Sequence, residues 1–424
     1  MELPPFLSRH LPSLFQRSTG LSHFLQLHAL LLKTSPSVFF YNSLVRVYTE
    51  TQNSPQAFDL LSDLRHAGLR PDNFTYPFVL KACASSSMLG EGRTVHGLVL
   101  KSGFVSDSYV GNTLLHVYGS CRVIGCARKV FDEMGGRNVV SWSSMIDGYV
   151  SCDHPLDALM MFRQMRLNNV QPNSVTLISL LSASSKLNSL KIGQSIHAYI
   201  LLGSMKLDVP LGTALIGMYT KCGHLEEALQ IFTSMEEKNL QSWTVMISGF
   251  ADNGCGKEAI GLFHELEERG LKPDSVLFST VISACSHSGL VEQGLNLFKR
   301  MVSVYKIRPT MEHYGCLVDL LGRAGLIEEA YKFIKEMPVK PNAVILRSLL
   351  GCCRKIGEFC DIKGELMESL IKEEPDLDAN YVLAANFAAF SGKWKDVVDI
   401  RRSTAERGLK KVLGCSKVDF GGGM

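Results

Sequence analysis

Apolar residues recur along the chain at three- and four-residue intervals, in short runs that glycine, asparagine or proline cut off. Within 240–274, for example, Trp243, Met246, Ile247 and Phe250 share one helical face, and Ala259, Leu262, Phe263 and Leu266 share another. Asp252-Asn253-Gly254 breaks the first of these helices. Gly270 and Pro273 end the second, because glycine accepts a left-handed cap and proline cannot continue a helix. The pattern predicts a helical hairpin.

The same hairpin returns along the sequence at a fixed offset of 101 residues. Pro71, Pro172 and Pro273 keep it, as do Asp72, Asn173 and Asp274; Gly92, Gly193 and Gly294; and Ala82, Ala183 and Ala284. Trp142 with Trp243, Tyr118 with Tyr219, Phe131 with Phe232 and His96 with His197 keep it too. Each 101-residue period divides into motifs of 35, 35 and 31 residues. From Val38 they run 38–72, 73–107, 108–138, 139–173, 174–208, 209–239, 240–274, 275–310 and 311–342, nine units over 305 residues. One hairpin cannot bury both its faces, so neighbours must stack around a shared core and leave a concave groove. The expected fold is an all-α solenoid.

Composition narrows what such an array can do. Apolar residues make up 46% and charged residues 20%, which excludes a disordered chain. With 44 basic against 41 acidic side chains the net charge is only +3, too little to hold a nucleic acid by charge alone. No stretch approaches the roughly 18 apolar residues of a membrane helix, so no membrane partner is expected. The twelve cysteines include no Cys-x-x-Cys pair and lie mostly in apolar helical patterns, as at Lys81-Ala82-Cys83-Ala84, so they are expected to be reduced core residues.

The helix pairs lack the tetratricopeptide signature. Val38-Phe-Phe-Tyr-Asn-Ser-Leu-Val and Glu258-Ala-Ile-Gly-Leu-Phe-His-Glu-Leu-Glu-Glu-Arg-Gly-Leu-Lys-Pro-Asp274 instead resemble the pentatricopeptide repeat, a 35-residue RNA-binding unit. The 35, 35, 31 alternation resembles the plant PLS subfamily, with the long type at Phe78-Val-Leu-Lys-Ala-Cys83 and the short type at Met218-Tyr-Thr-Lys-Cys-Gly-His-Leu-Glu-Glu-Ala228. Residues 275–310 and 311–342 resemble the last long and last short motifs of such arrays, and 343–418 resembles paired E motifs, divided near 377, with Leu346 and Lys417 where tryptophan is usual. The resemblance implies a right-handed solenoid and an E-subgroup protein without a DYW deaminase domain; residues 419–424 are left as a tail.

The resemblance also assigns residues. In this family the fifth and last residues of a motif read the edge of one unpaired base, and second residues sandwich it. Short amides, carboxylates and hydroxyls suit that task, since they offer different donors and acceptors. The pairs are Asn42 with Asp72 for U, Asn112 with Asn138 for C, Ser143 with Asn173 and Thr213 with Asn239 for A, and Thr244 with Asp274 for G. Pro77 with Asp107, Ile178 with Asp208, Ser279 with Thr310 and Gly315 with Asn342 are weaker readers. The expected site is 5′-U-x-C-A-x-A-G-x-x. Phe39, Tyr109, Val140, Pro210 and Gln241 are the sandwiching residues.

Catalytic chemistry is not expected, nor a metal or other cofactor. His224-Leu-Glu226 matches the first half of a zinc deaminase signature, but it falls at a helix start and no Cys-x-x-Cys follows. Gly254-Cys-Gly-Lys257 is not a phosphate-binding loop. The run Glu373-Glu-Pro-Asp-Leu-Asp378 reads as solvated surface, and His96 and His197 as packed equivalents. Between Leu3 and Thr49 there is no acidic residue, and Arg9 and Arg17 sit among Leu, Phe and Ser, so residues 1–18 read as a transit peptide, for the mitochondrion before the chloroplast. Residues 19–37 read as a degenerate partial repeat. The sequence thus points to a site-recognition factor for C-to-U editing of single-stranded organellar RNA. The partners expected through 343–424 are a separate DYW-type deaminase and multiple organellar RNA editing factor proteins. An organellar RNA stabilisation or splicing factor, and a protein scaffold holding a peptide in its groove, are the alternatives.

Overall fold

A computed structural model describes residues 37–51, 53–203, 205–356, 360–390 and 392–406. The expected transit peptide, nearly all of the partial repeat, Lys417 and the tail lie outside them. Among the described residues there are 22 α-helices and no strand. The fold is an α-solenoid of stacked helix-turn-helix repeats. The chain forms two compact units, one ending at Cys222 and the other beginning at Gly223.

In the first unit the pairs begin with Val38–Glu50 and Ser54–His66, followed by Thr75–Ser85 and Leu89–Ser102. In the second, Leu240–Asp252 pairs with Gly256–Glu268, and Ser275–Ser288 with Val291–Ser303. Within the first unit Val38–Glu50 and Thr75–Ser85 each pack on their own partner and on the first helix of the next motif, and within the second Leu240–Asp252 and Ser275–Ser288 do the same. Gly254 and Gly270 have φ of +77° and +76°, the left-handed turns that the sequence required at those breaks. The short motifs are short because of their second helices: Ile124–Glu133, Leu225–Ser234 and Ile327–Glu336 have 10 residues each, about one turn fewer than the others.

The 101-residue period is a period of packing. Trp142 and Trp243 are both buried, and each meets a phenylalanine edge-on, Phe131 and Phe232, with ring centroids 4.8 Å apart in both cases. A cation lies over the phenylalanine ring of each pair, Arg137 over Phe131 and Lys238 over Phe232. His96 Nδ1 lies 2.8 Å from the Tyr118 hydroxyl, and His197 Nδ1 lies 2.9 Å from that of Tyr219. These bonds tie the second helix of a long motif to the first helix of the short motif after it.

At the end of the second unit, Tyr314, Leu346, Leu349, Leu366 and Leu370 form one apolar cluster. Leu346, where the family usually has tryptophan, is fully seated in it. Two expectations need correction here. Glu373 and Glu374 are not simply solvated: Glu373 pairs with Lys340, and Glu374 accepts from Arg347 and from Asn380 Nδ2. The Arg347 bond holds the Glu374 carboxyl below its usual range. The cysteines also divide. Cys83, Cys285, Cys352 and Cys353 are core residues, whereas Cys121, Cys152 and Cys222 sit half-buried as the C-caps of first helices. There the chain turns between helices and only one side of the residue is covered.

Candidate nucleic-acid interface

The last residue of most motifs caps the first helix of the next, which fixes what it can offer a ligand. A helix start leaves backbone N–H groups without partners, and a short side-chain oxygen supplies one. Asn138 Oδ1 accepts from Ser141 N at 3.1 Å, Asn173 Oδ1 from Thr176 N at 3.0 Å, and Asn239 Oδ1 from Ser242 N at 2.9 Å. Asp72 Oδ1 accepts from Thr75 N at 2.8 Å and Asp274 Oδ1 from Leu277 N at 2.8 Å. Asp107, Asp208 and Asn342 cap in the same way.

Capping divides these residues by what is left over. An asparagine whose oxygen serves the helix keeps its Nδ2 and can only donate; an aspartate keeps its second oxygen and can only accept. The N–H partner settles the amide orientation. Donors match the ring nitrogen acceptor on the Watson–Crick edge of cytosine or adenine, and an acceptor matches the imino N–H of uracil or guanine. Asn138, Asn173 and Asn239 therefore suit C or A, and Asp72 and Asp274 suit U or G.

Three of the fifth residues, Asn42, Asn112 and Ser143, sit beside these caps. Asn42 is buried and donates Nδ2 to Asp72 Oδ1 at 3.1 Å, while its Oδ1 meets no donor among the described residues. Burial would raise the Asp72 carboxyl, but bonds from Thr75, Asn42 and Phe74 outweigh it and hold the group below its ordinary value. Asn112 Nδ2 lies 3.4 Å from Asn138 Oδ1, and Ser143 Oγ lies 3.5 Å from Asn173 Oδ1. Thr213 and Thr244 each donate back to their own helix, to Val209 O and Leu240 O. Thr213 belongs to the first unit and Asn239 to the second, and Asp274 is exposed.

The long motifs differ chemically. Pro77, which is buried, and Ile178, half-buried, offer hydrocarbon only, and the Ser279 hydroxyl is turned to Ser275 O at 3.3 Å. Gly315 has no side chain to offer. Thr310 engages a buried histidine instead: its N–H donates to His313 Nδ1 at 3.0 Å, so the proton of the ring is on Nε2, which reaches Ser275 O at 2.9 Å.

The second residues Phe39, Tyr109, Val140, Pro210 and Gln241 are all exposed. The structure adds three of the long motifs that residue reading missed: Phe74, Val175 and Val276 are also exposed, by 56 to 60%. The signal was available, since each follows the preceding second residue by 35. Between Val140 and Val175 opens a cleft of about 270 Å³, with Ser143 and Asn173 among its polar lining and Asp147 and His116 beside them.

His224 stands just before Leu225–Ser234, where its side chain makes no capping bond and instead meets Glu227 at 3.1 Å. Among the described residues no group of three or more His, Cys, Asp or Glu could hold a metal ion, and no helix is long and apolar enough to cross a membrane.

Comparisons with known proteins agree with the repeat geometry. A PPR repeat family model matches residues 36–85, 137–186 and 238–287, and a PPR repeat model matches 112–139, 213–240, 276–304 and 312–340. An E motif model matches 364–419. The chain is 40% identical over 400 residues to a chloroplastic/mitochondrial pentatricopeptide repeat-containing protein of Arabidopsis thaliana, covering 91% of this chain and 62% of that one. It is 38% identical to a chloroplastic member from the same plant, covering 91% and 64%, so it spans just under two thirds of the length of these relatives. Another Arabidopsis thaliana member is 40% identical over 404 residues, covering 90% of this chain and 85% of its own. Among solved structures, the pentatricopeptide repeat protein PPR10 with an 18-nucleotide psaJ RNA element superposes with a TM-score of 0.72 at 18% identity, covering 91% of this chain and 58% of that one. Repeat length, capped helix pairs, matched motifs and relatives coincide: the chain belongs to the pentatricopeptide repeat family, as a plant PLS-type protein of the E subgroup.

Proposed function

We propose that this protein binds single-stranded organellar RNA in a sequence-specific way, one base per motif, and marks a cytidine for C-to-U editing by a deaminase supplied in trans. The observation that carries the reading is the cleft between Val140 and Val175: two exposed apolar side chains at the same motif position, with the fifth and last residues between them. A flat base between such walls gains about 1–3 kcal/mol from stacking or packing, and the polar pair beneath meets its edge. The PPR10 complex is named for its RNA element, and relatives carry chloroplastic or mitochondrial names, which supports an organellar RNA as ligand and leaves the mitochondrion and the chloroplast both open. The E motif at 364–419 favours editing over RNA stabilisation or splicing. DYW-type deaminase and multiple organellar RNA editing factor proteins are the partners proposed for 343–424.

Two experiments test this reading. A gel shift at stated salt with 5′-U-x-C-A-x-A-G-x-x RNA is expected to show binding that weakens when a specified base is changed. Thr244→Asn, with Asp274 kept, is expected to move the preference at the seventh base from G to U. Absence of binding would favour a peptide scaffold. In a loss-of-function plant, sequencing of organellar cDNA is expected to reveal one or a few cytidines left unedited. Intact editing with altered transcript ends or introns would place the protein in stabilisation or splicing.

A further inference from the structure

Four hydroxyls, on Thr75, Ser141, Thr176 and Ser242, are completely buried at one motif position, the third residue of their motifs. Core packing alone does not ask for them, since the same position is Val110, Leu211 and Leu277 in other motifs. In three cases the hydroxyl reaches the base-reading pair of the motif before it. Thr75 Oγ1 donates to Asp72 Oδ1 at 2.8 Å. Ser141 Oγ lies 2.7 Å from Asn112 Oδ1 and 3.2 Å from Asn138 Oδ1. Thr176 Oγ1 donates to Asn173 Oδ1 at 2.9 Å and lies 2.7 Å from Ser143 Oγ. Thr75 and Thr176 also receive a backbone N–H, from Asp72 and Asn173.

We infer that Thr75, Ser141 and Thr176 are positioning residues of the preceding motif's base-reading pair, each fixing which atoms that pair presents to a base. The inference rests on the RNA reading proposed above and adds a third residue to it. The Asn112 pair makes the reasoning concrete. Ser141 occupies Asn112 Oδ1, while Asn112 Nδ2 faces Asn138 Oδ1, so neither amide can rotate without losing a buried partner. What remains to face a base is N–H only: the second Nδ2 hydrogen of Asn112 and the Nδ2 group of Asn138. Cytosine offers acceptors at N3 and O2, whereas uracil offers an N–H at N3. Without the Ser141 hydroxyl, Asn112 can turn its oxygen outward and accept from uracil. Where the third residue is apolar, as Leu277 is after Thr244 and Asp274, no such lock exists.

The test measures dissociation constants by fluorescence anisotropy at one ionic strength. The probes are 5′-U-x-C-A-x-A-G-x-x RNA and versions carrying U at the third base or G at the fourth. Ser141→Ala is expected to lower the C-over-U preference at the third base roughly three- to tenfold, the worth of one net hydrogen bond, with the A-over-G preference at the fourth base unchanged. Thr176→Val, of nearly the same shape, is expected to do the reverse. Ser141→Thr is expected to keep the wild-type ratio. A full C-over-U ratio in Ser141→Ala, or an equal loss at both bases alongside a lowered melting temperature, overturns the positioning role and leaves the RNA reading standing. A wild-type protein indifferent to both bases overturns that reading and this inference together.

Discussion

A half-buried imidazole held against a tyrosine hydroxyl resists a second proton. Burial lowers the pKa of His96, His197 and His313, against an opposing pull from Glu133 on His96 and from the Ser275 carbonyl and Glu312 on His313. The unfolded chain protonates these rings near the ordinary value of about 6.5, and the native chain only below it. Between the two values the unfolded state binds more protons, so stability is intact above about pH 6.5 and declines as pH falls through the native values. Asp72, Asp319 and Glu267 are held low by hydrogen bonds that outweigh burial, so their contribution persists to more acid pH and is lost as pH falls from the unfolded carboxylate range through their lowered native values. Urea midpoints measured from pH 7.5 to pH 5 are therefore expected to drop. The His96→Gln, His197→Gln double variant, which keeps a polar partner for each tyrosine without titrating, is expected to show a shallower decline. An unchanged slope would mean that these two rings are not the groups taking up protons.

At the scale of helices, one glycine per long motif lets a second helix approach the next first helix closely. A Cβ at Gly92 would lie 2.8 Å from Val117 Cγ1, and one at Gly193 would lie 2.2 Å from Met218 Sδ. Distance alone ranks Gly193→Ala as the worse clash, but the neighbours differ. Methionine has three rotatable bonds and can swing its sulfur aside, while valine is held to few rotamers. Gly92→Ala is thus expected to destabilise by about 1–3 kcal/mol and Gly193→Ala by less, an order that denaturant titration of the two variants reads directly. Caps allow a second comparison. Asp107→Ala and Asn138→Ala each remove a helix cap, a loss of about 0.5–2 kcal/mol. Only Asn138→Ala is expected to change base preference in an anisotropy titration, because Pro77, the motif partner of Asp107, has no group to read with.

These elements were legible in advance because the offset of 101 is local in origin: Gly254, Gly270 and Pro273 break helices wherever they occur. The buried hydroxyls were not. Nothing near Ser141 in sequence distinguishes it from a helix-start serine, and its partner Asn112 lies 29 residues away across a helix interface. The half-buried caps at Cys121 and Cys222 escaped for a related reason, since an apolar flank at helical spacing looks the same whether the residue ends a helix or lies within it.

For the molecule as a whole, the net charge of +3 limits how it can hold a polyanion. Several first-helix cations are already engaged by carboxylates: Arg46 with Glu50 at 2.8 Å, Lys186 with Asp153 at 3.1 Å, and Arg323 with Asp319 at 2.6 Å. Lys186 also donates to Val150 O at 2.8 Å. A cation so engaged releases few counterions when it meets a phosphate, since it must exchange one anion for another. The groups proposed to read bases are mostly neutral amides and hydroxyls, whose bonds are insensitive to ionic strength. For single strands the logarithm of affinity falls by about 0.7 per neutralised phosphate for each logarithm of salt. If two or three phosphates are neutralised, raising salt from about 50 to 200 mM weakens binding by roughly 20-fold or less, against roughly 300-fold or more for a single-strand interface with six to ten phosphate contacts. Anisotropy titrations across that range check this, and the preference for C over U at the third base is expected to stay constant through the series. A slope several times steeper would show that charge, not base edges, supplies most of the affinity.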